Sequence, residues 1–378
     1  MILTEEQRLI RESARKFAQE RLAPHSAEWE RAAAFPRSII NELGDLGFMG
    51  LTVPAEWGGT GADHVACALA LEEIAAGDGA ISTVVSGHNA VGVMPILAYG
   101  SEAQKERYVR DLAAGRKLTA FCLTEPQGGS DASALRTRAR RQGDAYVLSG
   151  TKQFITSGAS ADLALVFAVT DPDARKRGIS AFIVDTKTPG YVVSRVEKKM
   201  GQNASDTCEI QLQDAVVPAE CLLGEEGAGY RIALANLEGG RIGIAAQCVG
   251  MARAALEIAV RYAHEREAFG KAIFEHQAVS FRLADAAAGL EAARQLTLHA
   301  AALKSAGQPC LVEASMAKLV ASETAEKICS DAIQTLGGAG YMQDFGVERI
   351  YRAVRGAKIY EGTNDIQRLV ISRSLVAA

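Results

Sequence analysis

Residues 165–184 read Leu-Val-Phe-Ala-Val-Thr-Asp-Pro-Asp-Ala-Arg-Lys-Arg-Gly-Ile-Ser-Ala-Phe-Ile-Val. Two runs of β-branched and aromatic residues flank an Asp171-Pro172 turn signal, the pattern of neighbouring strands. Tyr146-Val-Leu lies before them and Tyr191-Val-Val after, set off by Gly143-Asp144 and Pro189-Gly190. No helix-length pattern intervenes between residues 119 and 224, so an antiparallel sheet, as barrel or sandwich, is expected rather than a βαβ array.

Working outward, residues 1–118 carry helical signals. Thr4 with Gln7 predicts a capping box, Leu9, Ile10, Phe17 and Ala18 an apolar stripe, and Pro24 a break. VPAEWGGTG at 53–61 is a loop signal, and Leu69, Glu72 and Glu73 belong to a further helix. Beyond the strands the chain is alanine-rich, with long amphipathic stretches over 230–268, 275–306 and 310–336. With a terminal helix these predict an antiparallel four-helix bundle. The expected class is α+β multidomain: an all-α domain at 1–118, a central β-domain at 119–224 and a helical bundle at 225–378.

Composition narrows the function. The chain has 41 basic and 45 acidic residues among 378, a net charge of −4, which gives no global attraction to nucleic acid or anionic membrane. Its seven cysteines are scattered without a CxxC pair and no HExxH occurs, so neither a metal nor a disulfide framework is expected. The start, MILTEEQRLIRES, has no apolar signal core, so an unprocessed, bacterial-type cytoplasmic protein is expected, with no signal or transit peptide visible. Residues 79–101 lack Asp, Glu, Lys and Arg, yet Ser82, Thr83, Ser86, His88, Asn89 and Pro95 are too polar for hydrocarbon. They predict buried helices rather than a membrane span.

Candidate chemistry lies in several segments. IYEGTNDIQRLV at 359–370 places Glu361 before Gly362, Thr363 and Asn364, with Asn364 and Gln367 spaced as a capping box. Glu361 is either a general base at a close-approach turn or a charged residue near a helix start. AFCLTEPQGGSD at 120–131 is a strand and glycine-rich turn, able to hold a phosphate or flat heterocycle, or else a surface turn. In GTKQFITSG at 150–158, strand alternation would put Phe154 and Thr156 on one face, suited to a planar cofactor or to ordinary packing. QTLGGAGY at 334–341 and AHEREAFGK at 263–271 allow close backbone approach. Gly227-Ala-Gly-Tyr-Arg-Ile lacks the sixth-position glycine and βαβ setting of a dinucleotide fingerprint, and neither a Walker A lysine nor GxSxG occurs.

Taken in order, AFCLTEPQGGSD, GTKQFITSG, LEGGRIGIAAQ (237–247), HEREAFGKAIFEHQ (264–277), QTLGGAGY and IYEGTNDIQRL closely resemble the acyl-CoA dehydrogenase family over almost the whole chain. The resemblance implies FAD held between the β-domain and the C-terminal helices. Phe121, Cys122, Leu123, Thr124, Gly129 and Ser130 would lie along the flavin, as would Phe154, Ile155 and Thr156, the last with its hydroxyl near flavin N5. Thr363, Asn364 and Asp365 match a further FAD segment. Arg266, Phe269, Gln277, Gln334, Leu336, Gly337 and Gly338 match residues reaching a neighbouring subunit's FAD, which implies a homotetramer built as a dimer of dimers. Ser130, Glu238, Arg241 and Gly362 match acyl-CoA contacts.

By the same resemblance Glu361 is the catalytic base, removing the α-proton of a thioester while a hydride leaves the β-carbon for the flavin. The product is a trans-2-enoyl-CoA, and electrons pass to an electron-transfer flavoprotein, as in fatty acid β-oxidation. The thioester oxygen would be held by an FAD ribityl hydroxyl and the N–H of the base. Burial should raise the pKa of Glu361 toward neutrality. Two departures stand out: Phe154 replaces a frequent tryptophan, and Gly240 stands where isovaleryl-type members carry their base. Short straight or short branched acyl chains are favoured, in a pocket involving residues 84–97. The alternatives are an oxidase passing electrons to oxygen, a silent acyl-CoA-binding scaffold, and a DNA-binding flavoprotein relative, the last opposed by the charge.

Overall fold

The computed structural model describes residues 1–375. Seven helices open the chain: α1 (Glu5–Phe17), α2 (Ser26–Ala32), α3 (Arg37–Asp45), α4 (His64–Gly77), α5 (Gly79–Gly87), α6 (Met94–Tyr99) and α7 (Glu102–Ala113). The capping box forms, Thr4 Oγ1 accepting from the Gln7 N–H at 3.2 Å and Gln7 Oε1 from the Thr4 N–H at 3.0 Å. The apolar stripe holds at Phe17 and Ala18, which are buried with Gln7 and Ala14, and at Ile10, which packs against the same core as α4; Leu9 lies off that face and is 59% exposed. Asp78 caps α5, accepting from the Ile81 N–H at 2.8 Å.

The middle of the chain forms eight strands: β1 (Thr119–Cys122), β2 (Arg138–Gln142), β3 (Ala145–Thr156), β4 (Leu163–Val169), β5 (Ile179–Asp185), β6 (Tyr191–Val196), β7 (Thr207–Pro218) and β8 (Leu222–Leu223). Their order is β6-β7-β3-β2-β4-β5-β8, with β1 beside β4. The sheet is mixed and does not close into a barrel, which corrects the antiparallel expectation. β1 pairs with β4 in parallel from Thr119↔Leu163 to Cys122↔Val166, and β2 meets β4 in parallel at Arg138↔Val169. The remaining pairs are antiparallel.

Both faces of β4 and β5 are buried, which is why residues 165–184 show continuous apolar runs instead of alternation. Leu163, Leu165, Phe167, Ile179, Ala181 and Ile183 join a core with Val93, Ile96, Tyr108 and Leu112 of the helical domain. Ala164, Val166, Ala168, Phe182 and Val184 join the second core, with Tyr146, Leu148, Ile155 and Ile210.

The C-terminal part comprises α8 (Gly229–Glu265), a small hairpin of β9 (Glu267–Ala268) and β10 (Lys271–Ala272), α9 (Gln277–Ser305), α10 (Leu311–Leu336), the short α11 (Gly338–Tyr341), α12 (Val347–Ala357) and α13 (Asn364–Ser374). The terminal helix expected from sequence is α13, and α12, which the sequence reading did not include, precedes it; both pack on α10. Glycines let α8 press onto the N-terminal domain: a Cβ at Gly250 would stand 2.0 Å from the Glu72 carbonyl oxygen. By length and composition Gly79–Tyr99 and Gly229–Glu265 could each cross a membrane, but 72% of each apolar window is buried inside the protein.

Candidate active site

The break between α12 and α13 carries Glu361. Glu361 and Gly362 are consecutive left-handed residues, with φ of 54° and 82°. Glycine adopts this region freely, whereas a glutamate there needs support from its surroundings. That support comes from two buried side chains. Gln367 Nε2 donates to the carbonyls of Glu361 (3.3 Å) and Gly362 (2.8 Å). Lys318 Nζ, from α10, donates to Gly362 O at 2.9 Å and to Asn364 Oδ1 at 2.8 Å. The expected Asn364–Gln367 capping box is therefore absent. Thr363 is the cap, accepting from the Ile366 N–H, while Asn364 turns inward to donate to Ser322 Oγ and Glu323 Oε1, both at 3.0 Å.

The Glu361 carboxylate rests against the bare backbone of Gly240 on α8. A Cβ there would lie 2.8 Å from Oε2 and 3.0 Å from Oε1. Oε2 is buried and has no hydrogen-bond partner among the described residues. Burial pushes the pKa of Glu361 up to about 7, with Arg241 and then Lys318 pulling the other way. Neither cation reaches ion-pair distance of it. Arg241, itself buried, donates through Nη1 to Ser315 Oγ at 3.2 Å and leaves Nε unpartnered. The N–H of Glu361 makes no hydrogen bond among the described residues. A base near neutrality thus sits beside a free backbone donor, the pair needed to take a weakly acidic proton and hold the oxygen that becomes negative.

Behind Glu361 lies a polar cluster. Tyr360 Oη donates to Gln247 Oε1 at 3.0 Å and accepts from Gln202 Nε2 at 2.9 Å. Gln247 Nε2 donates to the Gly79 carbonyl at 2.7 Å and to Thr83. The expected acyl segment, residues 84–97, lines a separate cavity of about 140 Å³ through Ser86, Asn89, Ala90 and Met94, facing Leu71, Gly239 and Gly243.

On the β-domain, the two segments expected along a flavin are joined. Lys152 Nζ donates to Glu125 Oε1 at 2.7 Å and to the Leu123 carbonyl at 3.1 Å, with both side chains buried. Glu125 also accepts from the backbone N–H groups of Arg136 (2.6 Å) and Thr137 (3.0 Å), which pins the glycine-rich loop. The Gln153 N–H donates to Thr124 O at 2.9 Å. Strand alternation fails at Phe154. The β3–β7 register shifts between Lys152 and Ile155, and Phe154 takes a left-handed φ of 58°, so a bulge carries its ring outward to 61% exposure while Ile155 is buried.

Phe121, Cys122, Leu123, Thr124, Gly129, Ser130, Phe154, Ile155 and Thr156 therefore belong to one bonded region. The hydroxyls of Thr124, Ser130 and Thr156 make no hydrogen bond among the described residues. An exposed aromatic ring, idle hydroxyls and a loop pinned from behind suit a flat polar cofactor. Asp365 is solvent-facing and pairs with Arg368 at 3.2 Å. Arg266, Phe269, Gln277, Gln334, Gly337 and Gly338 are exposed and Leu336 is buried. Within one chain their elements pack on the helical bundle, and none hydrogen-bonds to the β-domain loop. Glu238 faces Lys304 at 3.6 Å.

Lys318, Glu125, Lys152, Gln247 and Tyr360 were missed from sequence, and Gln367 was singled out only as a capping-box partner. A lysine inside an alanine-rich amphipathic helix (Lys318) and one at an inward strand position (Lys152) were the available signals.

Residues 4–116, 120–215 and 227–376 match the acyl-CoA dehydrogenase N-terminal, middle and C-terminal domain models respectively. The chain is 49% identical over 376 residues to an acyl-CoA dehydrogenase of Bacillus subtilis, covering 100% of this chain and 99% of that one. Among solved structures it resembles butyryl-CoA dehydrogenase from Megasphaera elsdenii (TM-score 0.97, 42% identity, 100% and 99% coverage). It also resembles a chain from work on the electron transferring flavoprotein of Acidaminococcus fermentans and flavin-based electron bifurcation (TM-score 0.99, 44% identity, 100% of both chains). The chain belongs to the acyl-CoA dehydrogenase family, whose members are FAD-dependent.

Proposed function

We propose that this protein dehydrogenates short acyl-CoA thioesters between the α and β carbons, with Glu361 as the base. The observation that carries this reading is the Glu361 carboxylate, buried against Gly240 with one oxygen unpartnered and its pKa near neutrality. Glu361 takes the α-proton, and its own N–H, free of other partners, holds the thioester oxygen as charge builds there. Gly362, left-handed and without a side chain, lets the thioester approach that N–H. Arg241 and Lys318 keep the carboxylate ionisable in a buried setting. Thr124, Thr156 and Phe154 with the loop at 121–130 would hold FAD, which when bound supplies the hydride acceptor.

Chain length follows from α8. Gly240 and Gln247 lie two turns apart on one face, about 10 Å along the axis. The Gln247–Tyr360–Thr83 cluster closes that face with hydrogen-bonded polar groups, and an apolar tail reaching it would strip partners from them. Short straight or short branched chains fit, in keeping with the butyryl-CoA dehydrogenase likeness. Electrons would leave to an electron-transfer flavoprotein. The assembly would be a homotetramer in which Arg266, Phe269, Gln277 and Gln334 complete a neighbour's FAD site.

Anaerobic titration of the holoenzyme with a series of acyl-CoA thioesters tests the reading. Flavin bleaching is expected for four- and five-carbon chains and should fall off with length. Glu361→Gln should bind FAD and thioester yet fail to bleach. Undiminished bleaching in that variant removes Glu361 from the role.

A further inference from the structure

The turn that presents Glu361 is held from within by a lysine. Lys318 is fully buried, on the middle of α10, and its ammonium donates to the Gly362 carbonyl and to Asn364 Oδ1. Asn364 in turn is bound to Ser322 and Glu323, so one end of the turn is locked to α10. A buried ammonium is costly, and a neutral residue of similar volume would pack here at less expense. Its two hydrogen bonds fall on the carbonyl of Gly362, second of the left-handed pair Glu361 and Gly362, and on Asn364 just beyond it.

We propose that Lys318 is a positioning residue for the base. It clamps the left-handed turn so that the Glu361 carboxylate lies over Gly240, and its positive charge favours the ionised carboxylate. The proposal rests on Glu361 being the base. The charged and titratable groups around it are Arg241 and Cys248 on α8, Glu323 on α10, and Glu361 itself. Of these only Arg241 and Lys318 favour ionisation of Glu361. Burial first, then Arg241, oppose the charge of Lys318, lowering its pKa to about 8 against the pull of Cys248, Glu361 and Glu323. The clamp is therefore mostly charged near pH 7, where Glu361 is half ionised.

Two substitutions separate clamp from charge. Lys318→Gln keeps an N–H donor for Gly362 O, and Lys318→Met keeps neither donor nor charge. On FAD-loaded protein, the ionisation midpoint of Glu361 is read from its carboxyl infrared band over a pH series, with Glu361→Gln as blank. Both variants should move that midpoint upward by about one pH unit, a tenfold change in ionisation at fixed pH. The acidic limb of kcat should move with it. At the alkaline plateau Lys318→Gln should recover most of kcat and Lys318→Met remain at least about tenfold down, as expected when only the clamp is lost. Midpoints equal to wild type in both variants, or equal plateaus, overturn the proposal. Should Lys318→Met fail to fold, Lys318→Gln alone decides it through the midpoint. Wild-type holoenzyme bleached by no thioester would instead sink the proposed function, while the infrared midpoint would still judge the clamp.

Discussion

A methyl group at position 240 would stand within 3 Å of three atoms of the Glu361 carboxylate, all at the far end of a movable side chain. Gly240→Ala should therefore cost little stability, since alanine gains up to about 1 kcal/mol of helix propensity. It should cost much activity, because the carboxylate proposed as the base must swing away; a fall in kcat of about tenfold or more is expected. Thermal unfolding beside steady-state kinetics checks this pair of outcomes. Glu361 also ties stability to pH. Its folded pKa is raised from the ordinary carboxylate range to about 7 by burial. Between those values the folded state holds a proton that the unfolded state has released, so stability falls as pH rises through that window. Glu361→Gln does not titrate. Its stability advantage over wild type should open from near zero at acid pH to at most about 3 kcal/mol above pH 7, as read by denaturant titration at several pH values.

Among elements, the loop between β1 and β2 depends on a buried ion pair rather than on its own turn chemistry. Lys152 and Glu125 are each almost without solvent contact, and Glu125 also collects two backbone N–H groups from the far end of the loop. Lys152→Met would leave that carboxylate buried and unpaired, at a cost of about 3–5 kcal/mol. Weaker FAD retention should accompany it, measured by flavin release on gel filtration. The same region shows where sequence patterns run out. β2 reads Arg-Ala-Arg-Arg-Gln and carries no strand pattern; β1 was legible as the strand of AFCLTEPQGGSD, but the parallel pairs both make with β4 were not. The bulge at Phe154 was equally hidden, because one extra residue cancels the alternation from which a face is inferred. The start of α13 was legible in the residues after Glu361, whereas α12 before it was not. The strands β4 and β5 and the helices α8, α9 and α10 were legible, because each is long or apolar enough to show its period or burial without its neighbours.

At the scale of the whole molecule, a single chain leaves several large aromatic side chains of its C-terminal part exposed. Phe269 is 97% exposed, Tyr341 80% and Phe281 61%, beyond what an isolated soluble surface favours. They lie close in sequence to Arg266, Gln277 and Gln334, the residues that fail to meet the β-domain of their own chain. The homotetramer proposed above, with a second copy covering them, would account for both facts. Phe269→Asp should dissociate it and release FAD together, seen as a fall in mass by light scattering with a parallel loss of bound flavin. An unchanged mass with full flavin content would remove Phe269 from the interface.

The sequence by itself determined the order helical, β, helical, the candidate base and the glycine that follows it. Those rest on local pattern and on motif order, which a linear string carries. Only the tertiary structure decided that Gly240 is the seat of the Glu361 carboxylate and that Lys318 and Gln367 hold its turn. It also decided that Gln247 and Tyr360 close the face beyond. These relations join residues 44 to 121 positions apart along the chain, except for the Gln367 contacts, and their strength comes from burial that no single segment provides. The near-neutral pKa of Glu361 belongs to that burial, so the chemistry of the base is a property of the packed fold.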